Sequence, residues 1–445
     1  MRRGEITNDC NNCRERPHHS HQLDTAHLQA HFSVKGKTIN FYWIIPLIGA
    51  ILLLSVGSIS PADTWAGLTS NTSVNPLKLL VIFFGMTFLS VFLDEMGLFQ
   101  YLASFAVTKA KSSQKSLFFV LYVTVSILTA FTSNDIVILT FTPFILHFAK
   151  RANISPLPYL IAEFVAANTL SMTLIIGNPT NIYIATSVGV DFVTYLKIMI
   201  LPSIASALVA FGILRIIFHK QLSQPLTVEQ SHIELQDKVL LVVGIVHLVV
   251  AIVLLSICSY IGIEMYLVCA VLSGSLLIFS FVYSLVKKQG LSLHFRVFKR
   301  LPYTLVPFVL SMFVMVLALH NCGLTEIFAK ALSGGDSVFV YGLTSFLASN
   351  VFNNIPMSVL FSDVIATSSL AGESLMGATY ASIIGSNIGA YLSPVGALAG
   401  IMWLSILKKH GHPISFVQFM KYGVLISIPV MLVALSVLHL SMLYA

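Results

Sequence analysis

The sequence predicts an all-α polytopic membrane protein, folded as an inverted repeat with two re-entrant hairpins and two broken helices. Three observations carry this. Of 445 residues, 56% are hydrophobic and 10% charged, with mean hydropathy +0.87; soluble domains carry about 25% charged residues. The apolar runs have helical length and the chain holds 31 Phe, whereas a β-barrel would alternate polar and apolar residues over about ten positions per strand. Several apolar pieces are too short to span a bilayer and flank polar motifs in pairs. A soluble multidomain enzyme and a globally disordered chain are excluded.

In chain order the apolar segments run over 42–60, 77–94, 116–132, 136–149, 157–176, 182–190, 194–218, 238–257, 263–285, 302–319, 337–348, 355–370, 374–385, 396–407 and 415–442. Basic residues lie between them, so the formal net charge of +7 reports orientation rather than nucleic-acid binding. All but Lys78, Lys197 and Lys330 of the 25 Lys and Arg can face the cytoplasm, most densely Lys287, Lys288, Arg296, Lys299 and Arg300. This predicts a multi-pass protein of the cell (inner or plasma) membrane with a cytoplasmic N-terminus. The expected parts are a polar tail (1–41), a first repeat (42–218), a cytoplasmic linker (219–237), a connecting span (238–257) and an inverted second repeat (258–445).

The tail has no apolar h-region, so no cleavable signal peptide is expected. It holds Cys10-x-x-Cys13 with His18, His19, His21, His27 and His31. No ordered finger spacing is present, which favours a solvated tail over a metal site. The five Cys form no disulfide framework.

Segments 116–132 and 136–149 begin and end on the cytoplasmic side with a polar turn between them. A re-entrant hairpin is favoured over two full crossings, since nonhelical backbone at membrane depth needs protein or a watery cavity to cover it. The halves then match in order. Leu93-Asp94-Glu95-Met96-Gly97-Leu98 pairs with Leu319-His320-Asn321-Cys322-Gly323-Leu324, Ser133-Asn134 with Ser349-Asn350, and Ile175-Ile176-Gly177-Asn178 with Ile383-Ile384-Gly385-Ser386, at offsets of 226, 216 and 208 residues. One extra span between the copies inverts the second. Inverted repeats commonly place a substrate site between them near the midplane.

Four motifs carry candidate chemistry. Thr132-Ser133-Asn134-Asp135 places a carboxylate between apolar runs, which marks a functional candidate. In a first helical turn Asp135 could carry a proton, coordinate a cation or simply cap the helix. Gly177-Asn178-Pro179-Thr180-Asn181 interrupts an apolar run; unwinding there would free carbonyls and N–H groups for ions, the simpler alternative being a proline kink. Ser349-Asn350-Val351-Phe352-Asn353-Asn354-Ile355-Pro356 is expected as the second hairpin tip, with an exposed loop as the alternative. It has no acid equivalent to Asp135. Gly385 through Gly396, including Asn387, reads as a second broken helix. Asp94, Glu95, Glu163, Asp363 and Glu373 are weaker candidates: Asp94 and Glu95 could cap or pair with Lys109, and Glu163 lies inside an apolar helix.

These residues resemble the ion transporter superfamily, and most closely the ArsB-type arsenite efflux permeases, from about Pro46 to the C-terminus. The resemblance rests on Leu93 to Phe99, on Ser133-Asn134-Asp135 with Leu139-Thr140-Phe141-Thr142-Pro143, on Ser349 to Pro356, and on Ile383 to Leu404. It implies paired hairpins, broken helices and a midplane site. Gly177 to Asn181 is more similar to the citrate and dicarboxylate branch. That branch carries Ser-Asn-Thr at its hairpin tips and couples to sodium, whereas Asp135 and Val351 replace both Thr here.

The expectation is therefore a secondary transporter of a small oxyanion-like solute, foremost arsenite or antimonite leaving by proton exchange through Asp135. The alternative is a citrate or dicarboxylate carrier coupled to sodium or protons. Ser133, Asn134, Asn350, Asn353 and Asn354, with Ser349 at the second tip, would line the site. Gly177, Asn178, Asn181, Gly385 and Asn387 would complete it. No cofactor, resident metal or nucleic-acid partner is expected; a homodimer and a cytoplasmic ATPase partner stay open. An intramembrane enzyme is disfavoured, because the motifs hold no His, HExxH or GxSxG.

Overall fold

The computed structural model describes residues 31–34, 37–40, 43–69, 75–110, 113–226 and 237–443. The Cys10-x-x-Cys13 motif and most of the expected linker lie outside them. In the tail, β1 (His31–Val34) and β2 (Lys37–Asn40) pair antiparallel, with His31 opposite Asn40.

The remaining described chain is helical. Helices α1 (Ile44–Ser55), α2 (Pro61–Thr69), α3 (Pro76–Glu95) and α4 (Leu98–Lys109) lead to the helical hairpin α5 (Gln114–Phe131) and α6 (Asn134–Arg151). A broken helix follows, α7 (Leu157–Leu170) and α8 (Pro179–Ser187), then α9 (Phe192–Ile217) and the short α10 (His219–Leu222). Helix α11 (Lys238–Ile257) stands between this set and its counterpart. The counterpart comprises α12 (Met265–Val286), α13 (Ser292–Arg300), α14 (Leu305–Asn321), α15 (Leu324–Ala331), the hairpin α16 (Ser337–Phe352) and α17 (Asn354–Thr367), the broken helix α18 (Gly372–Gly389) and α19 (Leu398–Lys409), and α20 (Phe416–Leu443).

Polar residues just outside the apolar runs start the long helices. Asn75 accepts from the N–H groups of Leu77 and Lys78, ahead of Pro76 at the first helical position. Asp191, Asp237 and Asp336 cap α9, α11 and α16 in the same way. Among the described residues, seven helical stretches are long and apolar enough to cross a membrane. Helices α9, α11 and α12 leave Leu208, Val242, Val253, Val271 and Ile278 more than half exposed, a surface suited to lipid. Helix α3 is buried along almost its whole length.

Packing repeats the chain order. Helix α1 lies on α14 as α12 lies on α3; α8 lies on α17 as α19 lies on α6; α9 meets α20. Left-handed Gly97 and Gly323, with φ of 87° and 73°, begin α4 and α15, so the 226-residue match holds. One span, α11, separates the sets, which inverts the second relative to the first.

Two of the sequence matches are corrected. The turn of the second hairpin is at Asn353, the cap of α17, with φ 74° and ψ 153°. Ser349 and Asn350 lie before it in the last turn of α16. The true counterparts of Ser133-Asn134 are Asn353-Asn354. Ile383 to Ser386 is intact helix within α18, and the second break is 390–397. Glycine does not unwind α18 there because packing overrides its weak helix propensity. A Cβ on Gly385 would lie 2.6 Å from the Gly342 carbonyl oxygen of α16, and one on Gly389 2.9 Å from that of Phe346. Small residues thus let the two helices touch. Aligned on their breaks, α7 and α18 correspond at an offset of 219, pairing Asn168 with Asn387 and Asn178 with Ala397.

Candidate functional site

At the first hairpin tip, α5 ends as Thr132 Oγ1 donates to the Leu128 carbonyl at 2.6 Å. Ser133 is extended and caps α6 without using its side chain. Asn134 Nδ2 donates to Asn168 Oδ1 on α7 at 3.1 Å, and Asn168 Nδ2 donates to the Phe164 carbonyl at 2.8 Å. Asp135 occupies the first turn of α6, half-buried. It forms no hydrogen bond or ion pair with the described residues, so the alternative of side-chain capping does not describe it.

The first break spans residues 171–178. Ile175–Gly177 form a 3-10 turn, and extended Asn178 caps α8 ahead of Pro179. A simple proline kink would leave α7 and α8 continuous, which they are not. Gly177 permits close approach: a Cβ there would meet the Ser171 carbonyl oxygen at 2.3 Å. Asn181 Nδ2 donates to the carbonyls of Ser171 at 2.7 Å and Leu174 at 3.1 Å, tying down the unwound backbone.

The second tip is fixed on the second break. Asn354 N–H donates to the Gly396 carbonyl and Asn353 Nδ2 to the Val395 carbonyl, both at 3.0 Å. These bonds hold Asn353 in its left-handed conformation. Asn350 Nδ2 donates to the Gly389 carbonyl at 3.1 Å and its Oδ1 accepts from Ser393 Oγ at 2.6 Å. Ser349 Oγ donates within α16 to the Phe346 carbonyl.

Asn387 joins the halves. Its Oδ1 accepts from Ser171 Oγ at 2.8 Å and Asn178 Nδ2 at 2.9 Å, and its Nδ2 donates to Asn181 Oδ1 at 2.7 Å and the Ile383 carbonyl at 2.8 Å. Thr169 Oγ1 donates to Tyr391 Oη at 3.2 Å, a second link. Both tips and both breaks therefore belong to one neighbourhood. Gly385 stands apart, packed against α16.

Several buried oxygens here have no hydrogen-bond partner among the described residues: Ser133 Oγ, Asn134 Oδ1, Thr173 Oγ1, Thr180 Oγ1, Asn354 Oδ1 and Ser386 Oγ. Asn134 and Asn354 hold equivalent tip positions, so the feature occurs in both copies. Buried polar atoms normally find partners; a set of acceptors left open between two repeats suits a polar cargo or a cation.

Sequence reasoning missed Asn168, Ser171 and Thr169, and held Tyr391 within the second broken-helix motif without singling it out. A polar amide within an apolar helix was the available signal for Asn168; the others became candidates only through contacts across the fold. Asp94 and Glu95 pair not with Lys109 but with α13. Arg300 reaches Asp94 Oδ2 at 2.5 Å and Glu95 Oε1 at 2.8 Å, and Arg296 reaches Glu95 Oε2 at 2.8 Å. Asp363 lies 3.1 Å from His320 Nδ1. Among the described residues no group of three or more His, Cys, Asp or Glu could hold a metal ion.

Residues 41–385, most of the chain, match the citrate transporter family CitMHS. The chain belongs to the CitMHS family. Curated relatives of this family member include the arsenical pump membrane protein of Escherichia coli K12, 27% identical over 421 residues and covering 91% of this chain and 94% of the relative. The putative arsenical pump membrane protein of Bacillus subtilis 168 is 26% identical, covering 85% and 89%. The crystal structure of the Alcanivorax borkumensis YdaH transporter shares the fold, at TM-score 0.55 and 15% identity over 92% of each chain. This CitMHS protein is thus a multi-pass membrane transporter, not an enzyme.

Proposed function

We propose that this transporter extrudes a small, uncharged, hydroxylated metalloid acid, arsenous acid or its antimony analogue, in exchange for protons. One observation carries the reading: the partnerless oxygens at both tips include amide acceptors, Asn134 Oδ1 and Asn354 Oδ1. Amide oxygens require donors. Arsenous acid is a neutral trihydroxide at neutral pH and supplies O–H donors in several directions. The three carboxylates of ionised citrate accept only, leaving a single hydroxyl to donate, and would set carboxylate oxygens against amide oxygens. The four motifs hold no Lys, Arg or His to balance its charge, and uncompensated buried charge costs several kcal/mol, about 3–5 when a partner is removed.

In this reading Asp135 carries the exchanged proton, entering and leaving its open position in the first turn of α6. The arsenical-pump names of the E. coli and B. subtilis relatives point the same way. The cytoplasmic N-terminus rests on the distribution of Lys and Arg.

The family match and the oxygen-rich tips favour one second reading, a citrate-type carrier whose cargo charge is offset by sodium bound at the amide oxygens. Purified protein in proteoliposomes separates the two. Arsenite accumulation driven by an imposed proton gradient, with no response to sodium, is the expected result. Sodium-dependent citrate uptake without arsenite movement would replace the first reading with the second.

A further inference from the structure

A second acid in the first repeat has a setting unlike that of Asp135. Glu163 lies midway along α7, 2% exposed. Among the described residues, the side chain that hydrogen-bonds it within full bonding distance is Thr142 of α6, whose Oγ1 lies 3.0 Å from one carboxyl oxygen and 3.1 Å from the other. The Trp403 indole of α19, from the second repeat, lies beside it. Trp403 is fully buried, and its Nε1–H lies close enough to interact with the Glu163 carboxyl but falls short of a full hydrogen bond. Phe164 and Phe419 pack on the indole with ring centroids 4.9 Å and 5.9 Å away. Glu163 also borders a small cavity with Phe118, Tyr122, Ile145 and Tyr159.

The titratable groups facing Glu163 are Tyr122 of α5 and Tyr159 of α7. Both hydroxyls donate elsewhere, to the Ala207 carbonyl and to Gln114 Oε1. Helix α6 presents Thr142 and α19 presents Trp403. Among the described residues no Lys, Arg or His forms an ion pair with Glu163. A bare carboxylate in this shell would be buried charge with one neutral donor, whereas a carboxylic acid fits it. An indole N–H not drawn into a full hydrogen bond lies beside it, on a helix of the opposite repeat. A shift of α19 along α6 would change how many donors reach the carboxyl, and with that which form is stable.

We propose that Glu163 is a second proton-binding site of the transport cycle, switched by the position of α19 against α6 and α7. With α19 as observed, the carboxyl holds a proton. When Trp403 Nε1–H swings onto it, the carboxylate gains a second donor and releases that proton to water. The inference deepens the proton-exchange reading and rests on it.

Two measurements test it. Infrared difference spectra of reconstituted protein across pH steps need no cargo. The wild type is expected to show a carboxylic acid C=O band that Glu163→Gln removes and Asp135→Asn retains; a band unchanged in Glu163→Gln overturns the proposal. The second compares gradient-driven accumulation with cargo counterflow in proteoliposomes, using arsenite. Glu163→Gln is expected to lose about tenfold of the driven accumulation and keep counterflow, with partial rescue by Glu163→Asp. Driven accumulation at the wild-type level overturns it, as does loss of counterflow that Glu163→Asp fails to rescue. Should wild-type protein carry citrate with sodium instead, the metalloid reading fails while the infrared result still decides the proton site.

Discussion

The two hairpin-and-broken-helix pairs follow one plan but divide the work between them. In the first pair the tip is tethered by one side-chain bond, Asn134 to Asn168. This first pair carries both Asp135, on α6, and Glu163, on α7. At the equivalent positions the second pair has Ile355 and Ser382, neither of which titrates. Instead it has close packing and backbone docking: Gly385 and Gly389 against α16, and Asn353 and Asn354 on the carbonyls of the second break. In the first pair Ala166 and Leu170 replace those glycines, so α7 cannot approach its hairpin as closely. The difference teaches that the acids at these matched positions belong to the looser copy, where a small movement would change a donor count. The tighter copy supplies a fixed wall and, through Asn387, the connection between the two.

The largest effect is expected from Asp135→Asn. Proton-driven accumulation in proteoliposomes should fall about 5–150-fold, the usual span of a coupling energy, while counterflow persists. Wild-type driven rates in this variant would break the proposed division. Next, Gly385→Val forces side-chain atoms onto α16 and should lower stability by about 1–3 kcal/mol, read as thermal unfolding in detergent. Ala166→Val, its counterpart, should cost less; equal losses would show that the two pairs pack alike. Asn387→Ala removes four hydrogen bonds, three of them to the first repeat. At about 0.6 kcal/mol per bond in a membrane protein, the expected loss is about 2 kcal/mol, larger than for Asn168→Ala in the same assay. The smallest change is expected from Thr140→Val. Thr140 Oγ1 donates to Asp94 Oδ2 at 2.7 Å and ties the first hairpin to the Asp94–Arg300 pair. Its loss should cost about 0.6 kcal/mol and leave cargo affinity unchanged. A change in affinity would place this tie in the transport path.

Much of this was legible from one chain. The first tip at Ser133-Asn134 could be read because a polar pair ended one apolar run and began another. The first break could be read because Gly177 and Pro179 both disfavour helix. The second repeat was harder. Ser349-Asn350 looked like Ser133-Asn134, yet the turn fell at Asn353, whose left-handed backbone is paid for by bonds that reach 42 positions along the chain. Gly385 looked like a helix breaker but serves as a contact surface.

Composition and the order of apolar runs determined lipid as the solvent, helix as the structure and the existence of two copies, since a backbone in hydrocarbon must satisfy its own hydrogen bonds. Tertiary structure alone decided which amides meet, which oxygens stay open and why Glu163 lacks a counter-charge. Some of those properties depend on residues more than 200 positions apart, such as Asn178 and Asn387, and no local pattern encodes the distance between them.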